Sequence, residues 1–89
     1  MGKPYILMGD PTSHGGTVLE GSLTTTINGK PVARVGDKVS CPIPGHGVCV
    51  IVSGDFTHLI DGKPLARHGD TTACGATLIA TQFQVLDHV

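Results

Sequence analysis

GSLTTTINGKPVARVGDKVSC (residues 21–41) and GDFTHLIDGKPLARHGDTTAC (residues 54–74) are two copies of one sequence unit. They lie 33 positions apart without a gap, and 11 of their 21 positions are identical. A shorter copy, GKPYILMGD at 2–10, repeats the Gly-Lys-Pro, four residues, Gly-Asp pattern of GKPVARVGD and GKPLARHGD. Repetition at such a period is typical of stacked or ring-like repeat architectures. We therefore expect one domain over residues 1–89, with pseudo-symmetric repeats that open near residues 2, 29 and 62.

Each repeat has the pattern of short β-strands. Runs rich in Val, Ile, Leu and Thr, such as VCVIV at 48–52, alternate with glycine-containing turns. Asn28-Gly29 and Asp61-Gly62 are strong hairpin signals, because both central positions of a type I′ turn need a positive φ. No window keeps an apolar period of about 3.6 without Gly or Pro, which argues against helix. We expect an all-β fold in which the C-terminal run, around Leu78 to Val85, supplies the strand missing from the first repeat.

One position of the repeat carries metal-ligand chemistry. Four residues after the repeated aspartates Asp10, Asp37 and Asp70 stand His14, Cys41 and Cys74. The aspartates themselves are expected to close turns with their side chains. Imidazole and thiolate are the preferred ligands of zinc. If the repeats surround a pseudo-threefold axis, equivalent positions converge, and the three ligands point at one spot.

An insertion in the second repeat offers a fourth ligand. Gly21 follows His14 by seven residues, whereas Gly54 follows Cys41 by thirteen. The extra residues form a loop at about 42–47 that contains His46. Tetrahedral zinc takes four ligands, so we expect His14, Cys41, His46 and Cys74 to hold a structural zinc ion. Of the remaining candidates, His68 and His58 are expected to pack on strands, and Cys49 is expected to be buried in its apolar run.

The composition indicates a domain that needs a bound metal ion to stabilise its fold. A chain of 89 residues with 13 Gly and three aromatic residues is marginal from its core alone. Six basic residues against seven acidic ones and no basic run argue against nucleic acid. No apolar stretch approaches the roughly 20 residues of a membrane span. The first ten residues lack the pattern of a secretory signal, so we expect the chain to be made in a reducing cytoplasm. There, metal binding by its three cysteines is favoured over disulfides.

The motifs GDPTSHGG, GKPVARVGDKVSCPIPGHG and GKPLARHGDTTACGATLIA resemble the PAAR-repeat proteins, over about residues 2 to 81. The motif that gives the family its name reads Pro31-Val32-Ala33-Arg34 and Pro64-Leu65-Ala66-Arg67 here, with the middle alanine replaced in both copies. The resemblance implies a small conical β domain with a metal near its apex. The family's site is histidine-rich with one cysteine, so His68 in place of Cys41 stays open as an alternative ligand.

The resemblance also implies a function. Family members form the tip of the bacterial type VI secretion spike, cap the trimeric VgrG protein and in some cases carry effector proteins. We accordingly expect one chain per VgrG trimer, synthesis in the bacterial cytoplasm and export by the type VI system without a signal peptide. Apolar residues of the hairpins are candidates either for the core or for the docking base: Leu23, Ile27, Phe56 and Ile60.

Two other functions compete with the spike tip. A zinc hydrolase needs an open metal position and a nearby acid or base, but the chain has one glutamate, Glu20, and no HExxH motif. We therefore expect no enzyme, and the fourteen residues after Gly75 suggest a bare tip without a fused catalytic domain. The alternative that remains is a zinc-stapled interaction module for another β-rich partner.

Overall fold

The computed structural model describes residues 2–42, 45 and 47–88. Within that part of the chain it contains no helix, and its strands are short and antiparallel. They are β1 Gly2–Pro4, β2 Thr26–Ile27, β3 Lys30–Pro31, β4 Lys38–Cys41, β5 Gly47–Val50, β6 Asp55–Ile60, β7 Lys63–Leu65 and β8 Leu86–His88. They pair as β1–β8, β2–β3, β4–β5 and β6–β7, which confirms the predicted all-β fold of small hairpins.

Two of the hairpins are set by their turn residues. Asn28 has φ 53° and Gly29 has φ 79°, while Asp61 has φ 54° and Gly62 has φ 79°. Positive φ at both central positions is the type I′ geometry whose twist matches that of the flanking strands. The β2–β3 and β6–β7 hairpins therefore form where the Asn-Gly and Asp-Gly signals predicted them.

The C-terminal run completes the first repeat. Strand β8 pairs antiparallel with β1, with Leu86 opposite Pro4 and Asp87 opposite Lys3. In the two internal hairpins Thr26 lies opposite Pro31 and Leu59 opposite Pro64, so β8 takes the place of β2 and β6. The completing strand begins at Leu86, just after the predicted stretch from Leu78 to Val85.

The three repeats close into a ring of hydrogen bonds. The N–H of Ile6 donates to the carbonyl of Ala66 at 3.1 Å, Ala66 donates to Ala33 at 3.1 Å, and Ala33 donates to Ile6 at 2.8 Å. All three residues are fully buried. Because each repeat gives one bond to a neighbour and receives one from the other, the chain has a pseudo-threefold axis through this ring.

The core lies around the same axis. Its larger members include Val18, Ile51 and Leu78, which occupy equivalent positions in the three repeats and are at most 1% exposed. Each forms a bridge to the next repeat, to Val39, Thr72 and Thr12 in turn. Burying an aliphatic side chain of this size contributes about 1.5–3 kcal/mol. The same side chains therefore both fill the core and join neighbouring repeats.

The three Gly-Asp aspartates close turns, as predicted. Asp10, Asp37 and Asp70 accept backbone N–H bonds of 2.7–2.9 Å from the residue three positions earlier. Arg34 and Arg67 also bind the carboxylates of Asp37 and Asp70. No helix among the described residues is long and apolar enough to cross a membrane.

Candidate metal centre

The first and third repeats hold His14 and Cys74 in matching turns. In the first, Thr12 accepts the N–H of Gly16 on its hydroxyl at 3.1 Å, and in the third Thr72 accepts the N–H of Ala76 at 3.2 Å. Gly15 and Gly75 follow the two side chains with φ of 82° and 85°, a conformation that favours glycine. The threonine and the glycine therefore fix the same loop around either ligand type.

Cyclic backbone bonds hold the three ligand-bearing segments together. The residue before each candidate ligand donates its N–H to a carbonyl of the preceding repeat: Ser13 to Thr77 at 2.9 Å, Ser40 to Thr17 at 2.9 Å and Ala73 to Val50 at 2.8 Å. Since the repeats enclose one axis, this arrangement turns equivalent side chains towards a common point. The convergence predicted from the repeat position follows from these bonds.

The donor atoms of His14, Cys41 and Cys74 all lie within 4.8 Å of one another. The Nδ1 of His14 and the Sγ of Cys41 are 3.9 Å apart, Cys41 is buried, and the other two residues are half-buried. A tetrahedral zinc with bonds of about 2.0–2.1 Å to nitrogen and 2.3 Å to sulfur separates two such ligands by about 3.5 Å. The described residues therefore fit a zinc-type ion with a small movement of the side chains.

Cys74 has an unusually acidic thiol. The thiol of Cys49 donates to its sulfur at 3.0 Å, and the hydroxyl of Thr72 lies 3.1 Å away. These bonds, with that of Cys49 the larger contribution, lower the pKa of Cys74 to about 5. Hydrogen bonds to a thiolate favour its charged form, which is the form that binds metal. Cys74 is therefore prepared for metal binding at neutral pH.

Cys49 was missed as a functional residue because its position depends on hairpin register. The β4–β5 register pairs Cys41 with Gly47 and Val39 with Cys49. Directly opposite residues share one face of a hairpin, and so do residues two apart, which puts Cys49 on the face of buried Val39 and of Cys41. A hairpin centred on residue 44 pairs Cys49 with Val39, but the apolar run at 48–52 predicted simple burial of Cys49. Cys49 is in fact half-buried.

The remaining predicted ligands behave differently. His46 lies outside the residues that the structure describes. His68 accepts the N–H of Ala80 on Nδ1 at 3.0 Å and its ring lies 6.4 Å from that of Phe83. Among the described residues it is not part of the cluster with His14 and Cys74. Its contacts are those of the packing role predicted for it.

A family model covers most of the repeat region and the candidate metal ligands. The family model described as the PAAR motif matches residues 8–80, which is most of the chain and includes all four predicted ligands. No curated protein matches the chain.

Proposed function

Because the chain belongs to the PAAR-motif family, we propose that it caps a trimeric VgrG spike, one chain per trimer, and is stapled by a structural zinc ion. The PAAR motif is associated with type VI secretion spike-tip proteins, a structural family whose members associate with spike proteins. Export by that system, without a signal peptide, is part of the same proposal. Any effector would then travel with the assembled spike.

The observation that carries the proposal is the hydrogen-bonded ring of Ile6, Ala33 and Ala66. A trimer of identical subunits has a threefold axis, and an asymmetric monomer placed on that axis would meet three identical surfaces with three different ones. A chain with an internal pseudo-threefold axis can instead offer each subunit a similar surface. One chain per trimer is the stoichiometry that this symmetry favours.

Three exposed apolar side chains follow the same symmetry. Leu23, Phe56 and Phe83 occupy equivalent positions, each one residue after a side chain that accepts the backbone N–H two residues further on, and they are 96%, 71% and 65% exposed. We call them the outer apolar triad. Of the other residues predicted for core or base, Ile60 is buried and Ile27 is packed against the core. Large exposed apolar side chains often mark an interaction surface, so the triad is the best-supported docking set.

The zinc staple is proposed on the cluster of His14, Cys41 and Cys74. We propose His46 as the fourth ligand, because the inserted loop returns to the hairpin that carries Cys41 and because Cys49 lies outside the mutually close set among the described residues. Four protein ligands would leave no position for a reacting water. Zinc at this site would therefore supply folding energy to a small core, which fits a structural protein.

The decisive experiment mixes the purified chain with a trimeric VgrG protein. We expect a complex of one chain per trimer, measured by light scattering coupled to size-exclusion chromatography. Replacing the outer apolar triad by serine (Leu23→Ser, Phe56→Ser, Phe83→Ser) should weaken binding about tenfold or more, since buried aromatic anchors dominate interface energies.

A matched control is available within the chain. Leu19, Val52 and Ile79 form another symmetry-related set and are 37–47% exposed. Serine at these three positions should leave binding to the trimer nearly unchanged. Three chains per trimer, or no binding at micromolar concentration, would contradict the spike-tip proposal and favour a module for another β-rich partner.

A further inference from the structure

A second group of potential metal ligands lies outside the thiol cluster. The donor atoms of Asp55 and His58 on β6 and Asp87 on β8 lie within 4.8 Å of one another. Both aspartates are 6% exposed, and the Nδ1 of His58 lies 3.2 Å from Oδ1 of Asp87. Two buried carboxylates beside an imidazole are unusual in a domain of this size, because burying charge is costly unless it is compensated.

One oxygen of each carboxylate has no hydrogen-bond partner among the described residues. Oδ1 of Asp55 accepts bonds from the backbone and the hydroxyl of Thr57, but Oδ2 accepts none. Oδ2 of Asp87 is likewise without a hydrogen bond, and its nearest cation, Nη1 of Arg67, is 3.8 Å away. An unsatisfied buried acceptor costs about 1–3 kcal/mol, and more when charged. Two such oxygens on neighbouring carboxylates point to a missing positive partner.

In the preceding repeat, the carboxylate at the equivalent contact is compensated by hydrogen-bond donors. There Asp61 accepts bonds from the hydroxyls of Ser22 and Thr24 at 2.5 and 2.6 Å and from Arg34 at 3.0 Å. One carboxylate is thus matched by two hydroxyls and one guanidinium. In the later repeat Asp55 takes the position of Ser22 and His58 that of Thr25, while Asp87 stands where the internal hairpins have Ile27 and Ile60.

These replacements change the chemistry of the site. Asp55, His58 and Asp87 supply two carboxylates and one imidazole, whereas Arg67 binds Asp70 and lies 3.8 Å from Asp87 without a hydrogen bond to its Oδ2. The imidazole and the two carboxylates are all zinc-type ligands. The replacements therefore convert a compensated polar contact into a set of metal donors.

We propose that Asp55, His58 and Asp87 form a second metal site, which binds a divalent transition-metal ion of the zinc type through one nitrogen and two carboxylates. Tetrahedral bonds of about 2.0–2.1 Å separate two nitrogen or oxygen ligands by about 3.3 Å, and His58 and Asp87 are already 3.2 Å apart. Three protein ligands leave a position for water or for a group from a partner. The hydroxyl of Tyr5, 3.4 Å from the same imidazole nitrogen, borders the site.

The competing explanation is a proton shared between the two carboxyls. Burial raises the pKa of Asp87, and the neighbouring Asp55 raises it further. A shared proton would satisfy one of the spare oxygens without any metal. Metal binding measured on the isolated full chain separates the two explanations, and it does so without the spike partner.

The test is a titration of the metal-free full-length chain with Co²⁺ at neutral pH. Thiolate ligands give Co²⁺ an intense charge-transfer absorption, whereas nitrogen and oxygen ligands give only weak visible bands. Binding at the second site is therefore the part of the calorimetric signal that is not accompanied by thiolate absorption. We call it the thiolate-free component. We expect the thiolate-free component in the wild-type chain and in the double variant Cys41→Ser/Cys74→Ser, because it does not depend on metal binding by the thiol cluster.

The variants Asp55→Ser and His58→Thr install the residues that the preceding repeat carries at these places. Each should weaken the thiolate-free component about tenfold or more while leaving any thiolate absorption intact. Asp61→Asn, which removes a carboxylate from the equivalent contact, should leave it unchanged. If Asp55→Ser does not fold, His58→Thr decides alone. A wild-type chain without this component would favour the shared proton, and a component that persists in the folded variants would place the ion elsewhere; either result would overturn the proposal.

Discussion

The sulfur atoms of Cys49 and Cys74 lie 3.0 Å apart, across the boundary between the second and third repeats. The bridge between Ile51 and Thr72 brings the end of β5 beside the turn that carries Cys74. The Cys49 thiol donates a hydrogen bond to the sulfur of Cys74, which stabilises the Cys74 thiolate and makes Cys49 its supporting partner. The two thiols therefore have different roles despite their proximity.

Cys74 should be the most reactive thiol of the metal-free chain at mildly acidic pH. With its pKa lowered from 9.0 to about 5, its alkylation rate should rise with a midpoint near pH 5. In Cys49→Ser the midpoint should move up towards the ordinary value of about 8.5. Mass-spectrometric mapping of iodoacetamide adducts against pH checks this, and an unchanged midpoint in Cys49→Ser would show that Cys49 does not set the pKa.

The sign of the accompanying stability change follows from the same shift. A folded-state pKa below the unfolded value contributes stability that is complete above the unfolded pKa. In the metal-free chain this contribution should therefore be present above about pH 9 and be lost as the pH falls to about 5. Cys74→Ser should lack this pH dependence.

Replacing Cys74 by serine should release the metal and destabilise the fold by several kcal/mol. Binding energy at a structural site is folding energy, and the small core cannot replace it. Metal analysis and denaturant unfolding, with and without a chelator, measure the two effects. Cys49→Ser is the comparison variant: it keeps His14, Cys41 and Cys74 and should retain the metal, although with lower affinity because the pKa of Cys74 rises. A wild-type chain that is well folded and free of metal would contradict the zinc staple.

Replacing His46 by alanine should weaken zinc binding without abolishing it. The cluster of His14, Cys41 and Cys74 would still hold the ion, and water would take the fourth position. The Co²⁺-loaded variant should keep its thiolate absorption but change its visible bands, since a nitrogen ligand is replaced by oxygen. Identical spectra and affinities in wild type and His46→Ala would assign the fourth position to another residue.

Sequence repetition predicted the thiol cluster because pseudo-threefold closure makes equivalent positions converge. His14, Cys41 and Cys74 needed only their common spacing from an aspartate. The role of Cys49 depends on the register of a hairpin whose loop is an insertion without a counterpart in the other repeats. Asp87 joins Asp55 only because β8 closes the ring against β1. Long-range contacts of this kind leave no periodic signal in the chain.

Gly16 should not tolerate a side chain, although its φ is ordinary. A Cβ at this position would lie 1.9 Å from the carbonyl oxygen of Ser40, which belongs to the strand that carries Cys41. Gly16→Ala should therefore destabilise the fold by about 1–3 kcal/mol, the usual cost of overpacking. The reverse change at the equivalent position, Ala76→Gly, should cost only about 1 kcal/mol or less. Equal losses of unfolding free energy in the two variants would show that the approach to Ser40 is unimportant.

Asp61→Asn should make the chain less sensitive to acid while preserving its fold. Asn28 adopts the same positive φ at the equivalent turn, so asparagine keeps the hairpin. The wild-type carboxylate accepts bonds from Ser22 and Thr24 and pairs with Arg34, and the hydroxyl bonds, with Ser22 first, lower the pKa of Asp61 below its ordinary 3.8.

A carboxyl with a lowered folded-state pKa contributes stability above its unfolded value, and that contribution is lost as the pH falls through the folded value. The stability of the wild type relative to Asp61→Asn should accordingly be constant above about pH 4 and decrease below it. Screening by solvent keeps the difference small, because the side chain is 34% exposed. Urea unfolding of both chains at a series of pH values measures it. Parallel curves across the acidic range would show that the contact with Ser22, Thr24 and Arg34 contributes nothing to the pH dependence of folding.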